Sequence, residues 1–381
     1  MQERLKKLIW SLPWLSRYPF WRLNELSRRW MHEPSERHLI FIVANHFEPA
    51  WSTNGFLDLP TQESRLDHWF EMARTTGELI KDHDGTPFRH TNFYPAEQYH
   101  PSLLKVLADM QAEGLGEVEI HLHHGVDRPD NAADLRRALE TFRDQLADEH
   151  KCLSRFEGKG MPRYAFVHGN LALANSAGGM YCGVDSEMQI LLETGCYADL
   201  TLPSAPERSQ VPRINAVYQC GNVLTERSPH RSGPSLELHE APKLPVIITG
   251  PLVFNWGRRV YGLPVPRLDD GVLAANYDLD IDRLNRWADA NITVKGRPEW
   301  VFVKLYCHGF FPEDQSAVIG EGVQHFWQEV LDYSERTGKF KIHFATAREA
   351  FNIALAATDG LEGNPHAYRD YKLIPIMDPR A

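Results

Sequence analysis

The chain has no apolar run near the ~18 residues that a membrane-spanning helix requires. Its amino terminus lacks the apolar centre and small-residue cleavage site of a secretion signal. Cysteine is scarce and scattered. Cys152, Cys182, Cys196, Cys220 and Cys307 form no Cys-x-x-Cys pair. That excludes a zinc ribbon and a disulfide-stapled mini-fold, and it suits reduced thiols in a reducing, cytoplasmic compartment. Positive charge is also short, with 41 Lys+Arg against 51 Asp+Glu and a net charge of −10, so no general nucleic-acid partner is expected. Internal repeats and low-complexity tracts are absent. What remains is a folded composition, 43% hydrophobic and 24% charged over 381 residues. At roughly 150 residues per domain this length implies two or three domains, with a single β/α barrel the standing exception.

Charge is unevenly placed. Residues 1–31 hold seven basic residues (Arg4, Lys6, Lys7, Arg17, Arg22, Arg28, Arg29) against Glu3 and Glu25, a net of +5. Trp10, Trp14, Trp21 and Trp30 share this stretch, which Pro13 and Pro19 interrupt. Tryptophan beside Lys/Arg is the composition of a segment lying in a bilayer interface, so a membrane surface is one expected partner. The other reading is a pair of short helices that pack their tryptophans onto the main domain.

From residue 38, apolar β-type runs alternate with longer amphipathic stretches. Strands are expected at 38–45, 88–94, 117–123, 163–169, 198–203, 245–250, 300–306 and 341–347. Helices are expected near 62–82, 101–113, 131–149, 185–194, 280–290, 321–337 and 347–356, the clearest carrying Leu135, Leu139, Phe142 and Leu146 at helical spacing. This alternation predicts an α/β fold with parallel strands, a β/α barrel over 38–356. The flanking parts are the basic segment 1–37 and an irregular tail, 357–381. Long irregular insertions are expected at 204–244 and 251–279.

Four expected strands end in polar residues: Asn45-His46-Phe47-Glu48, His121-Leu122-His123-His124 continuing to Asp127, His168-Gly169-Asn170, and Cys307-His308-Gly309. Carboxyl ends of parallel barrel strands converge on one face, so these side chains are expected in one cavity. His121 and His123, two apart, project from the same face of a strand, as do His46 and Glu48. Imidazoles with one carboxylate suit a divalent cation such as zinc, and a catalytic site takes three protein ligands. His46, His123 and either Asp127 or Glu48 meet that count, with His121 a further candidate ligand and His124 a weaker one. Each also has a bland reading: a hydrogen bond inside the barrel, a helix cap for Asp127, an ion pair for Glu48. His168 and His308, on other strand ends, suit proton transfer or substrate contact.

The order of these motifs resembles the polysaccharide deacetylase family, within a superfamily of distorted seven-stranded β/α barrels. The likeness covers residues 38 to about 350 and rests on short motifs. The family's first motif, an Asp-Asp pair, falls on Asn45 and His46, which the resemblance assigns as catalytic base and metal ligand. Its second motif follows a Glu-Ile dipeptide, here Glu119-Ile120, and supplies two ligands four residues apart, here His123 and Asp127. Its late motif, a leucine-containing strand ending in a catalytic histidine, matches Leu305 to His308. The departures are Asn45 in place of the base, His and Asp exchanged among the ligands, and no Arg-Pro-Pro-Tyr match, Arg163 and Arg213 being poor substitutes.

The resemblance implies a metal-dependent hydrolase that removes an acetyl group from a carbohydrate. Glu48 or Asp127 would take the proton of water, and His308 or His168 would protonate the leaving group. Trp51, Tyr99 and Trp256 are candidate sugar-stacking residues. Two further readings stand beside it. One is a metal-free glycosidase with a carboxylate pair drawn from Glu48, Asp127, Asp185 and Asp199. The other is a non-catalytic sugar-binding or assembly barrel, which Asn45 favours.

Overall fold

The computed structural model describes residues 2–31, 34, 36–257 and 259–377; the side chains of Arg28, Arg29 and Trp30, and Pro379, lie outside the described residues. The expected strands form as β1 (His38–His46), β2 (His90–Pro95), β3 (Gly116–Leu122), β4 (Tyr164–His168), β5 (Cys196–Asp199), β7 (Val246–Ile248), β8 (Trp300–His308) and β9 (Lys341–Phe344). A further strand, β6 (Val217–Gln219), sits inside a stretch expected to be irregular. Only three residues long, it leaves no period to read in the sequence. It runs antiparallel to β7.

These strands make one sheet in the order β8-β1-β2-β3-β4-β5-β7-β6, parallel except at β6. β1 is its most heavily paired member. β8 runs along all of it, while the other edge is shared by β9 at His38–Phe41 and β2 at Ala44–His46. The chain is therefore an α/β protein with a central, mostly parallel sheet. Among the described residues no ladder joins β8 to β6 or β7. The free edge of β8 meets an irregular segment instead, through a bridge between Val272 and Tyr306.

Strand alternation divides the core in two. Leu39, Phe41 and Val43 pack outward with Leu66 and Trp69 of α3 (Leu59–Leu79), Leu104 of α4 (Pro101–Ala112), Leu139 of α5 (Ala132–Asp144), Met188 of α6 (Glu187–Thr194), Trp287 of α7 (Ile281–Ala290) and Trp327 of α8 (Glu321–Thr337). The helical stripe Leu135, Leu139, Phe142 and Leu146 is buried, each side chain contributing about 1.5–3 kcal/mol. Ile40, Ile42 and Ala44 face the other way, into a core shared with Ala165, Val167, Val246, Phe302 and α9 (Ala347–Thr358). Every residue of α9 is buried, and Ala347, Ala350, Ala354, Ala356 and Ala357 keep it slim enough to fit.

Only one of the two flanks differs from expectation. Residues 2–31 form two helices, Gln2–Leu15 and Tyr18–Met31. Trp14 is buried against Ala205, Ile214 and Leu252, and Trp21 packs on the inner core, as the packed-helix reading requires. The tail is ordered rather than irregular. Leu373–Pro375 pairs with Ser154–Phe156, and Arg369 is buried between Glu349 and Asp82. Short strands and buried ion pairs carry no periodic signal, which is why the sequence hid them.

Candidate metal centre

The carboxyl ends of β1, β3 and β8 deliver His46, Glu48, His121, His123 and His308 to the inner side of the sheet. His46 lies 4.7 Å from His121 and 4.6 Å from His308, ring centre to ring centre, and His121 is 4.6 Å from His123. Gly169 allows this crowding, because a Cβ there would stand 2.4 Å from the His123 ring.

His121 is fully buried and its tautomer is set. Its Nδ1–H donates to the Val167 carbonyl at 2.8 Å, which leaves a lone pair on Nε2 with no hydrogen-bond partner. That atom faces Glu48 Oε1 at 3.7 Å, and His123 Nε2 is 3.1 Å from the same oxygen. Donor atoms of Glu48, His121 and His123 all lie within 4.8 Å of one another. Behind His123, Glu97 takes Nδ1–H at 2.6 Å and the backbone N–H at 3.3 Å. A carboxylate gripping the far nitrogen of an imidazole is the usual support of a metal-ligating histidine. The residues present therefore fit a divalent cation, with Glu48, His121 and His123 as its holders.

Charge follows from the same geometry. Burial opposes ionisation of Glu48, but the imidazoles of His121 and His123 beside it outweigh that and hold the carboxyl well below the usual range. Burial lowers His123, and its bonds to Glu48 and Glu97 overcome that and raise it to about 9. Burial, with His308 and His121 beside it, keeps His46 neutral, and burial likewise lowers His308. An aromatic rim adjoins them: Phe311 stacks on His308 at 4.7 Å and Trp51 on Phe311 at 4.1 Å.

Several expected residues lie elsewhere. Asn45 projects from the opposite face of β1. It accepts Gly309 N–H at 2.9 Å and approaches Asn92 and His90, clamping β1 to β8. Asp127 is exposed and joins neither histidine group, because Gly125, at φ +67°, turns the chain away after β3. His168 also projects outward and belongs to a second buried group with His124, Cys182 and Glu187. Asp185 bonds Asn175, and Asp199 bonds Thr201. Tyr99 reaches Glu149, and Trp256 lines a separate cavity of about 650 Å³ beside α7. Arg163 lies over Phe156 and Arg213 over Tyr218.

Glu97, Phe311, Cys182 and Glu187 were not foreseen. Glu97 stands two residues past β2, so attention to all strand ends would have found it; the others sit in turns or at a helix start without a pattern. The chain matches no family model, no curated protein and no solved structure in the comparisons made.

Proposed function

We propose that this protein is a metal-dependent hydrolase acting on an acylated carbohydrate, built on a distorted deacetylase-type β/α barrel. The observation that carries the reading is the bare Nε2 of His121, aimed at Glu48 and His123 on neighbouring parallel-strand ends. The approach of Gly250 to β8, where a Cβ would stand 2.6 Å from the Lys304 carbonyl oxygen, supports an incompletely closed barrel. A bound cation, zinc by the donor set, supplies an acidified water and polarises the acyl carbonyl. Glu48, His121 and His123 hold it, and Glu97 orients His123. The His308 and His46 imidazoles are neutral and make no side-chain hydrogen bond among the described residues, so a ring nitrogen of either is free to take a proton and return it to the leaving group. Trp51 and Phe311 offer a sugar ring an apolar face beside them.

This arrangement favours hydrolysis over the glycosidase alternative, because Glu97 spends both oxygens on His123 and, among the described residues, no free carboxylate faces Glu48. It also weakens the case for an inert barrel, since Asn45 faces away from the inner group of His46, His121, His123 and His308. Metal analysis and acetate release from a panel of acetylated sugars test the reading. Bound metal and turnover are expected, with His121→Ala losing turnover and the inner-site share of the metal; a metal-free, inactive wild-type chain overturns it.

We also infer attachment to an anionic membrane surface. Among the described residues no helix is long and apolar enough to cross a membrane. The first helix nevertheless exposes Leu5, Leu8, Ile9 and Leu12 at i, i+3, i+4 and i+7, and the second exposes Phe20, Leu23 and Leu26. Phe254, packed on Tyr18 at 4.9 Å, also meets the exposed Trp256 at 6.2 Å, and Tyr261 and Leu263 a few residues on are exposed as well. Trp14 and Trp21 pack inward and the aliphatics face out, over a segment of opposite charge to the rest of the chain.

A further inference from the structure

We propose that the outer group, His124, His168, Cys182 and Glu187, is a second metal centre, one that pins two loops rather than catalyses. All four residues are buried and their donor atoms lie within 4.8 Å of one another. One thiolate and one carboxylate neutralise a divalent cation, and two imidazoles complete a tetrahedral zinc-type shell. In such a shell neighbouring donors stand about 3.3–3.8 Å apart, by the geometry of ~2.0–2.3 Å bonds. Cys182 Sγ is 3.5 Å from Glu187 Oε2, and His168 Nε2 is 3.8 Å from Glu187 Oε1.

The decisive atom is His168 Nε2, completely buried, aimed at Glu187 and without a hydrogen-bond partner. A hydrogen-bonded network alone explains His124, whose Nδ1 meets Asp130 at 3.0 Å and Nε2 meets Glu187 at 2.9 Å. It leaves His168 Nε2 stranded at a cost of about 1–3 kcal/mol. With a cation present, Asp130 becomes the outer support of His124, as Glu97 is for His123. The Val184 N–H lies 3.5 Å from Cys182 Sγ, a donor that suits a thiolate. Two contacts oppose ligation: the Cys182 thiol stands 3.7 Å from the Val184 carbonyl, placed to donate its proton there, and Asn170 N–H reaches His168 Nδ1 at 3.3 Å. Ligation through Nε2 moves the ring proton to Nδ1 and gives up that long bond. Asn170 Oδ1, buried and unpartnered, is an acceptor on the same residue.

The centre ties the turn 123–131 to the irregular stretch 169–186. These loops are already pressed together at Gly125, where a Cβ would stand 2.4 Å from the Cys182 carbonyl oxygen. They also exchange bonds from Tyr181 N–H to Gly125 O at 2.7 Å and from Asp130 N–H to Cys182 O at 2.8 Å.

Cobalt(II) loading of the chelator-stripped full chain tests the assignment separately from the inner site, which has no sulfur. The expected spectrum has a thiolate-to-cobalt band in the near ultraviolet, retained in His121→Ala and abolished in Cys182→Ser. Absence of that band in the wild type, or its survival in Cys182→Ser, overturns the proposal. Should Cys182→Ser fail to fold, His168→Gln decides: the tetrahedral visible bands must shift, and an unchanged spectrum overturns the assignment.

Discussion

Asn45→Asp restores the aspartate that the deacetylase resemblance places at the catalytic base, yet it is expected to damage the protein and add no activity. The side chain at 45 is fully buried on the outer face of β1. An aspartate keeps the bond from Gly309 N–H but turns the former donor into an oxygen opposite Asn92 Oδ1, 3.4 Å away, and beside His90. Burial has pushed His90 down to about 3, so that imidazole offers no positive charge. A fully buried carboxyl rises by up to about 3–5 units above its unfolded value near 4. The variant therefore matches the wild type below about pH 4 and then loses about 1.4 kcal/mol per pH unit until the raised value is passed. Taking three units, the deficit is about 4 kcal/mol above pH 7. Urea unfolding of both chains at two pH values, one acidic and one neutral, measures the widening gap. Equal midpoints at both, or faster acetate release by the variant, would refute the placement of Asn45.

Glu97→Gln keeps the His123 contact but removes its charge, so metal affinity at the inner site should fall by ~10–100-fold in chelator competition, with folding intact. His90 and His230 are both held neutral by burial at about 3. Because each unfolded histidine titrates near 6.5, stability is untouched above that pH and falls below it, by about 1.4 kcal/mol per unit for each group. His230→Leu also removes two ring nitrogens without partners, so it should hold stability at neutral pH and move acid unfolding to lower pH, read by circular dichroism. Replacing Leu5, Leu8 and Leu12 by serine should abolish co-sedimentation with anionic vesicles and leave the fold unchanged; undiminished sedimentation counts against the membrane face.

Hydrophobic rhythm made much of this architecture readable. Strand β1 and the helix 321–337 stand where their patterns place them, and His121 and His123 share a face because two-residue spacing demands it. The error lay in treating every polar strand end as inward-facing. Within β4, Ala165 and Val167 point in, so Phe166 and His168 must point out; that parity was visible in RYAFVHG and decides which histidines meet. Asp127 was misjudged for a different reason. A spacing of four residues implies proximity only if the chain continues straight, and the left-handed Gly125 turns it aside. Cys182 and Glu187 reach His124 across more than 50 residues of chain, a closeness that only tertiary folding creates.

His123 and His124 are consecutive, yet one ring reaches Glu48 and the other Glu187. The single trans peptide between them holds their Cα atoms about 3.8 Å apart, so a backbone shift at one group is felt at the other. Occupancy of either end should bias the other, and thermodynamic reciprocity requires the same factor in both directions. Inserting one glycine between the two histidines should weaken that coupling.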